Sequence, residues 1–272
     1  MPSPSGRCGW ELSSSASFSP FYSLADVDST DAAFRILNHC RRMVYSTSNA
    51  VRAAQSNRLD GAPIDRPPLV FVVYEAVEVL DFCGPFEVFS VTRLNEEKRR
   101  EEPSPFNVFL IAEATSPVVA TGGMKVVPDY DFDTCPQLDI LIIPGGWGAI
   151  REMNNERLLN WIGRRSRQVD TVTSVCTGAL LLGKAGLLDG KRATTHWRFL
   201  DRMQELFPKV TVDRQVHFVE EEGLFSSAGI SAGIDMSLRV VARYFGEAVA
   251  RATARHMEYP FPESDKRRIN IA

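Results

Sequence analysis

The sequence predicts a doubly wound α/β domain, in which a mostly parallel sheet carries helices on both faces. Two observations support this fold class. Short, continuous apolar runs are typical of parallel strands that are covered on both faces. Segments with apolar residues at helical spacing lie between these runs, and alternation of strands and helices builds a doubly wound sheet. The predicted strands are 69–74, 106–112, 138–144 and 171–175.

Helical patterns account for most of the remaining domain. The predicted helices are 85–97, 156–167, 177–185, 198–207, 231–244 and 247–257. Two further segments, 118–128 and 216–227, contain glycine turn signals and predict β-hairpins. A sheet of this class binds ligands at the carboxyl ends of its strands, so the loops after the strands are the expected place for a site.

Length and composition fit one large domain with an N-terminal extension. The chain has 272 residues, of which 44% are hydrophobic and 24% charged, enough to bury a full core. Residues 1–66 are polar and rich in serine, which predicts a disordered extension with one short helix at 32–45. A transit peptide is the alternative, but such peptides avoid acidic residues, which this extension contains. The domain is predicted at 67–258, followed by a polar C-terminal tail at 259–272.

Charge and cysteine content restrict the partners and the compartment. A net charge of -3 argues against nucleic acid and membrane surfaces, because both need a clustered basic surface. The chain contains neither a membrane-spanning run of about 20 apolar residues nor a signal-peptide pattern. The five cysteines are odd in number and scattered, which favours a reducing compartment over disulfides or a zinc site. We therefore expect a cytoplasmic protein that acts on a small molecule.

The segment 174–179, with the sequence SVCTGA, places Cys176 between a predicted strand and a predicted helix. A nucleophile on such an elbow needs small neighbours two residues before and after it, and here they are Ser174 and Gly178. The N–H groups of a helix N-terminus favour the thiolate, the form that attacks electrophiles. Cys176 is therefore the candidate nucleophile. The alternative is a buried cysteine that acts as a small hydrophobic residue.

Two other loops are expected at the same edge of the sheet. Asp81 lies between apolar residues just before a Gly-Pro sequence, where partial burial would raise its pKa and allow proton transfer. Alternatively, Asp81 caps the following helix. After the strand that ends at Pro144, Gly145 and Gly146 let backbone N–H groups approach a ligand. The N–H groups of Gly146 and Thr177 could hold developing negative charge, or the glycines could form an ordinary turn.

A histidine near the elbow is the last candidate. His196 lies in the sequence Thr194-Thr195-His196-Trp197, after the helix that follows the elbow. It could orient or serve the cysteine, or it could be a structural histidine.

Three stretches resemble the ThiJ/PfpI superfamily, a class I glutamine amidotransferase-like group: LDFCGPFEVF, IIPGGWG and SVCTGALLLGKAGLLDGKRATTHW. The resemblance covers residues 69–258. Within the group the chain is most similar to the isonitrile hydratase branch, through the aspartate of its L-D-x-x-G-P motif, the threonine after the cysteine and the R-A-T-T-H-W ending. The resemblance implies a flavodoxin-like fold, a homodimer and no metal or organic cofactor.

The resemblance also implies roles for residues. Cys176 matches the nucleophile and Asp81 its acidic partner. Gly145, Gly146, Thr177 and His196 match substrate-binding positions. In the hydratase interpretation, the Cys176 thiolate attacks the terminal carbon of an isonitrile, Asp81 supplies a proton, and water converts the thioimidate to an N-substituted formamide.

One feature of this chain departs from the family pattern, and a second is an additional cysteine near Asp81. Glu75-Ala76 stands where relatives often carry Pro-Gly, so the loop that leads to Asp81 is expected to differ from theirs. Cys83 lies two residues after Asp81. It would form a regulatory disulfide if it approached Cys176, and is otherwise a small core residue.

Two other functions compete with the hydratase. Glyoxalase or deglycase activity would use the same thiolate on methylglyoxal, although relatives with that activity more often carry glutamate at the position of Asp81. A non-enzymatic redox or ligand sensor is the second alternative, because a reactive thiol also suits an oxidation switch. The DNA-binding form of such a sensor needs about 100 residues after the domain, and here only 259–272 follow.

Overall fold

The computed structural model describes residues 66–271. The predicted extension, including its short helix at 32–45, lies outside the described residues except for Arg66. In chain order, the strands of the described part are β1 (Pro68–Val72), β2 (Asn107–Ala112), β3 (Val118–Val119), β4 (Lys125–Val126), β5 (Tyr130–Asp131), β6 (Ile140–Ile143), β7 (Thr171–Val175), β8 (Arg192–Ala193), β9 (Thr211–Val212), β10 (Phe218–Glu221) and β11 (Leu224–Ser227).

A sheet of seven strands forms the centre of the domain, in the order β10-β11-β7-β6-β1-β2-β5. Its strands are parallel except for the antiparallel pair β10 and β11. Every residue in 69–72 and 140–143 is fully buried, as expected for parallel strands with helices on both sides. The predicted α/β fold class is confirmed.

Helices pack in two groups along this sheet. They are α1 (Val79–Val91), α2 (Trp147–Glu152), α3 (Glu156–Arg165), α4 (Gly178–Lys184), α5 (Leu200–Leu206), α6 (Ala232–Phe245) and α7 (Glu247–His256). Helices α1, α6 and α7 contact one another, and α4 contacts α2 and α3. A single turn of 3₁₀ helix at Trp197–Phe199 precedes α5.

The predicted start of the first helix is wrong. The sequence predicted a helix at 85–97 that begins at Gly84-Pro85, with Asp81 in the loop before it. Instead α1 spans Val79–Val91, with Asp81 in its first turn and Pro85 inside it. Pro85 removes only one backbone hydrogen bond, and the burial of side chains such as Phe82 and Phe89 offsets that loss.

The second predicted hairpin is present, but it is part of the main sheet. Strands β10 and β11 pair antiparallel, and β11 also pairs in parallel with β7. The carboxyl end of β11 therefore lies beside the carboxyl end of β7. This places the segment after Ser227 next to Cys176.

Candidate active site

Cys176 lies on a strained turn between β7 and α4. Its φ is +57°, a left-handed conformation that costs a non-glycine residue about 1–3 kcal/mol. Its N–H donates to the carbonyls of Ser227 and Ala228, both at 3.2 Å. Its carbonyl accepts a hydrogen bond from Thr195 Oγ1 at 2.7 Å. Both backbone polar groups of Cys176 are therefore held by neighbouring segments.

The elbow depends on Gly178, the first residue of α4. A Cβ atom at this position would lie 2.0 Å from the carbonyl oxygen of Ile143, at the end of β6. Backbone atoms cannot yield such space, so only glycine lets α4 begin this close to the sheet. This contact explains why the residue two positions after Cys176 must be small.

The Cys176 thiol is nearly buried, with 5% of the residue exposed. Burial and the nearby Asp81 carboxyl raise the pKa of the thiol well above its usual value, and the Thr177 N–H and hydroxyl counteract them only in part. The sequence had indicated the opposite direction, because a helix N-terminus favours a thiolate. Burial and Asp81 outweigh that effect in this structure.

Asp81 is fully buried and faces the site from the first turn of α1. It does not cap the helix, because the N-cap residue is Glu78. Its Oδ2 accepts a hydrogen bond from the Gly145 N–H at 2.9 Å. Its Oδ1 is buried and has no hydrogen-bond partner of normal geometry within residues 66–271.

Burial raises the pKa of Asp81 to about 8, with a further increase from Glu78 and an opposing effect of the Gly145 N–H. Contact between the Asp81 carboxyl and the thiol lowers the pKa of Asp81 and raises the pKa of Cys176. These are the directions expected when a thiol donates to a carboxylate. At neutral pH the pair therefore retains protons, and a protonated carboxyl lies beside the candidate nucleophile.

Gly145 and Gly146 connect β6 to α2 and lie against the elbow. A Cβ atom at Gly145 would lie 2.5 Å from the Thr177 nitrogen and 2.9 Å from Asp81 Oδ2. The Gly146 N–H donates to Thr177 Oγ1 at 2.9 Å, and that hydroxyl donates to the Gly146 carbonyl at 3.0 Å. The Gly146 N–H is thus engaged by Thr177, and the Thr177 N–H is the amide that contacts the sulfur of Cys176.

His196 is half-buried and borders the same space as the thiol. A Cβ atom at Gly229 would lie 2.1 Å from His196 Cδ2 and 3.2 Å from Cys176 Sγ, so both side chains flank this glycine. His196 Nδ1 accepts from the Arg198 N–H at 3.3 Å and caps the 3₁₀ turn. Burial, Arg198 and Arg267 lower the pKa of His196, which keeps the ring neutral.

Sequence reasoning missed Gly229. It follows β11, and the available signal was the position of Ala228-Gly229 at the end of a strand. That signal required knowing that β11 joins the main sheet beside β7. The sequence analysis treated 216–227 as a hairpin outside the sheet, so it did not place Gly229 beside Cys176.

An aromatic cluster, defined as Trp147, His196, Trp197 and Phe199, lies next to the site. Trp147 is 66% exposed and Trp197 is 43% exposed. The Phe199 ring lies 6.2 Å from both the Trp147 ring and the His196 ring, and the His196 ring lies 5.8 Å from the Trp197 ring. This aromatic cluster presents apolar surface beside His196, and sequence reasoning did not group Trp147 and Phe199 with His196 and Trp197.

The described cysteines are free thiols. Cys83, Cys135 and Cys176 form no disulfide with one another, and Cys83 packs against the hydrophobic core. Within residues 66–271, His, Cys, Asp and Glu side chains form no group of three or more that could hold a metal ion. The same residues contain no helix of the length and apolarity needed to cross a membrane.

Comparison with known families identifies the group to which this site belongs. The model of the DJ-1/PfpI family matches residues 69–243. The chain belongs to the DJ-1/PfpI family. The predicted ThiJ/PfpI resemblance is thereby confirmed, and the elbow cysteine, Asp81 and the Gly-Gly loop all lie within the matched residues.

Curated members of the DJ-1/PfpI family with similar sequences include an enzyme and regulators. The chain is 36% identical over 196 residues to an isonitrile hydratase of Pseudomonas putida, which covers 72% of this chain and 80% of the relative. It is 34% identical over 142 residues to the HTH-type transcriptional regulator GbdR of Pseudomonas aeruginosa, which covers 52% of this chain. The match spans only 38% of the length of that regulator.

Solved structures of the DJ-1/PfpI family share the fold. A ThiJ/PfpI family protein from Pseudomonas syringae superposes with a TM-score of 0.62 at 27% identity, covering 76% of this chain and 84% of that chain. Drosophila melanogaster DJ-1beta superposes with a TM-score of 0.59 at 15% identity, covering 72% of this chain and 99% of that chain. The flavodoxin-like fold implied by the sequence is confirmed.

Proposed function

We propose that this protein is a cysteine-dependent hydratase that converts a small isonitrile to an N-substituted formamide. The observation that carries the proposal is the buried pair of Asp81 and Cys176, in which a carboxyl with a pKa of about 8 contacts the thiol. Such a carboxyl is protonated at neutral pH and can act as a general acid. Similarity to an isonitrile hydratase over most of both chains supports the same reaction.

In the first half of this reaction, the thiol adds across the terminal carbon of the isonitrile. The sulfur of Cys176 forms a bond to that carbon, and the Asp81 carboxyl gives a proton to the same carbon. The thiol proton passes to Asp81, which restores the carboxyl. The product is a thioimidate in which the former isonitrile carbon carries one hydrogen and is bonded to sulfur.

In the second half, water resolves the thioimidate. The Asp81 carboxyl gives its proton to the substrate nitrogen while the water oxygen bonds to the same carbon, and the resulting carboxylate takes a proton from that water. The carbon–sulfur bond then breaks, the proton of the new hydroxyl group passes to the sulfur, and the N-substituted formamide leaves. The Thr177 N–H contacts the sulfur and can stabilise the negative charge that develops on it.

The aromatic cluster suggests which substituent the isonitrile carries. Trp147 and Trp197 present exposed aromatic faces beside His196, and His196 is kept neutral. An uncharged apolar group would gain contact area there, whereas a cationic group would be repelled by Arg198 and Arg267, whose charges act on His196. We therefore favour alkyl or aryl isonitriles over cationic ones.

A sensor is the second candidate function, and the similarity to regulators such as GbdR favours it. In that case the site would bind a ligand or respond to oxidation at Cys176 without turnover. Sensor and hydratase differ in one measurable property, the formation of product in excess over protein.

The proposal includes a homodimer in the cytoplasm, as the family resemblance and the scattered cysteines indicate. The exposed Leu80 and Val127 side chains are candidates for a subunit contact, because homodimer interfaces are more apolar than the rest of the surface. Light scattering during size-exclusion chromatography should give twice the mass of the chain. A mass of one chain would remove the dimer from the proposal.

Turnover of cyclohexyl isonitrile by purified, reduced protein tests the function. We expect many equivalents of the formamide from wild type, none from Cys176→Ala, and little from Asp81→Asn. Cys83→Ser is the matched control, because Cys83 is a free thiol outside the proposed chemistry, and it should retain activity. Folded wild type that binds the isonitrile without forming formamide would support the sensor, and turnover of methylglyoxal alone would support the glyoxalase.

A further inference from the structure

The C-terminal segment 259–271 is attached to the loops that hold Cys176, although the sequence predicts it as a polar tail. One antiparallel bridge, between Val216 and Lys266, joins it to the loop 214–217 through two backbone hydrogen bonds. The His217 N–H donates to the Asp265 carbonyl at 2.5 Å, and the Arg267 N–H donates to the Gln215 carbonyl at 3.0 Å.

Backbone hydrogen bonds also connect this attachment to the N–H of Cys176. The His217 carbonyl accepts from the Ala228 N–H at 2.7 Å, and the Ala228 carbonyl accepts from the Cys176 N–H at 3.2 Å. The segment is therefore connected to the nucleophile through a short series of backbone hydrogen bonds.

The guanidinium of Arg267 is connected to the carbonyl of Cys176 by hydrogen bonds that pass through Thr195. Its Nε donates to the Arg214 carbonyl at 2.7 Å. Its terminal nitrogen donates to the Thr195 carbonyl at 3.4 Å and to Thr194 Oγ1 at 3.5 Å. Thr195 Oγ1 in turn donates to the Cys176 carbonyl at 2.7 Å. One side chain thus joins the 214–217 loop to the residues that support the elbow.

A buried carboxylate anchors the segment to the domain. Asp235 on α6 accepts hydrogen bonds from Tyr259 Oη and His217 Nδ1, both at 2.8 Å, and from the Arg268 guanidinium. Asp235 is 1% exposed, so these bonds form in a protected environment where they are strong. The segment is held on both sides of Arg267.

We propose that Arg267 is a positioning residue that holds the Thr194–His196 loop, and through it Cys176, in the geometry of the candidate site. Cys176 has a left-handed φ, and a residue in that conformation persists only when its surroundings fix it. Arg267 contributes by fixing the loop that holds the Cys176 carbonyl. This inference concerns the architecture of the site and does not depend on which substrate the site accepts.

Arg267 also acts on His196 electrostatically. After burial and Arg198, the charge of Arg267 is the remaining cause that lowers the pKa of His196. Removal of that charge should therefore raise the pKa of His196, whereas Arg267→Lys, which keeps the charge, should leave it unchanged. The comparison of the two variants separates the charge of Arg267 from the hydrogen bonds that hold the loop.

The test compares wild type with Arg267→Ala, Arg267→Lys and Lys266→Ala. Amide hydrogen exchange of the peptide that contains Cys176 reports the elbow, and an NMR titration reports the His196 ring. In Arg267→Ala we expect exchange about tenfold faster and a raised pKa of His196. In Arg267→Lys we expect faster exchange with the His196 titration unchanged, because lysine keeps the charge but lacks the planar fork. Lys266→Ala removes a neighbouring charge and should change neither.

Elbow exchange in Arg267→Ala that is as slow as in Lys266→Ala would overturn the proposal, whatever the pKa of His196. If Arg267→Ala does not fold, Arg267→Lys decides, and elbow exchange as slow as in wild type would overturn it. Neither readout requires turnover, so failure here is distinct from failure of the hydratase proposal.

Discussion

At the residue scale, the buried carboxyl of Asp81 makes the stability of the fold depend on pH. Its pKa is about 8 in the folded protein, far above the usual value of 3.8. A raised carboxyl pKa means that the folded state keeps its proton after the unfolded state has lost it. The contribution of Asp81 to stability is therefore most favourable below a pH of about 4, and it decreases as the pH rises toward about 8.

Asp81→Asn should stabilise the protein at neutral pH. The amide keeps an acceptor for the Gly145 N–H and cannot ionise in the unfolded state, so the free energy of unfolding at pH 7 should rise by on the order of 3 kcal/mol. Urea unfolding between pH 4 and pH 8 measures this, and the variant should show a flatter pH dependence than wild type. Asp189→Asn, at an exposed aspartate, is the control. Equal slopes for wild type and Asp81→Asn would show that Asp81 is not protonated by burial.

Gly229→Ala should impair the site without unfolding the protein. The added methyl would lie 2.1 Å from His196 Cδ2 and 3.2 Å from Cys176 Sγ, so the imidazole must move and the sulfur becomes less accessible. We expect formamide formation to fall roughly 10- to 100-fold. Gly163→Ala is the control, because a Cβ there meets no atom within 4 Å. Full activity of Gly229→Ala would contradict the placement of His196 beside the thiol.

At the scale of elements, the site is made by the join of β7 to α4 and by the loop that follows β6. This part could be predicted, because a small residue at Gly178 and an apolar run before Cys176 are local features of the sequence. The start of α1 could not be predicted from the sequence. The burial of Phe82 and Phe89 is a tertiary effect, and it overrides the local signal of Gly84-Pro85. Asp81 was thus identified correctly as a buried carboxyl but placed on the wrong kind of element.

Gly178→Ala should destabilise the elbow. The Cβ atom would lie 2.0 Å from the Ile143 carbonyl oxygen, so α4 must move away from β6. We expect a loss of about 2 kcal/mol or more in the free energy of unfolding. Gly163→Ala, within α3, should instead gain about 0.5–1 kcal/mol because glycine is a poor helix former. Chemical denaturation of both variants checks the prediction, and equal stability of the two would contradict the close packing of α4.

At the scale of the whole molecule, the least predictable feature is the attachment of the C-terminal segment to the site. Lys266, Arg267 and Arg268 look like a solvated basic run in the sequence. Their partners, such as Asp235 and the Thr195 carbonyl, lie far away in the chain and become neighbours only through the order of strands in the sheet. The fold class, by contrast, follows from repeated local patterns and could be predicted.

Asp235→Asn should weaken the attachment of this segment. Burial alone would raise the pKa of Asp235, but hydrogen bonds from His217, Tyr259 and Arg268 hold it below its usual range. A lowered carboxyl pKa contributes stability above pH of about 4 that is lost as the pH falls further. The variant should be about 1–3 kcal/mol less stable at pH 7 and less sensitive to acid, as measured by urea unfolding at pH 7 and pH 3. Unchanged stability at pH 7 would contradict an anchoring role.

The pH dependence of isonitrile hydration tests the central claim most directly, that a protonated Asp81 supplies the proton when Cys176 attacks. The pKa of Asp81 is about 8, so kcat/KM for formamide formation should be constant near neutral pH and decrease above about 8. A rate that instead rises steadily with pH through this range would mean that only a free thiolate limits the reaction, and would contradict the role assigned to Asp81.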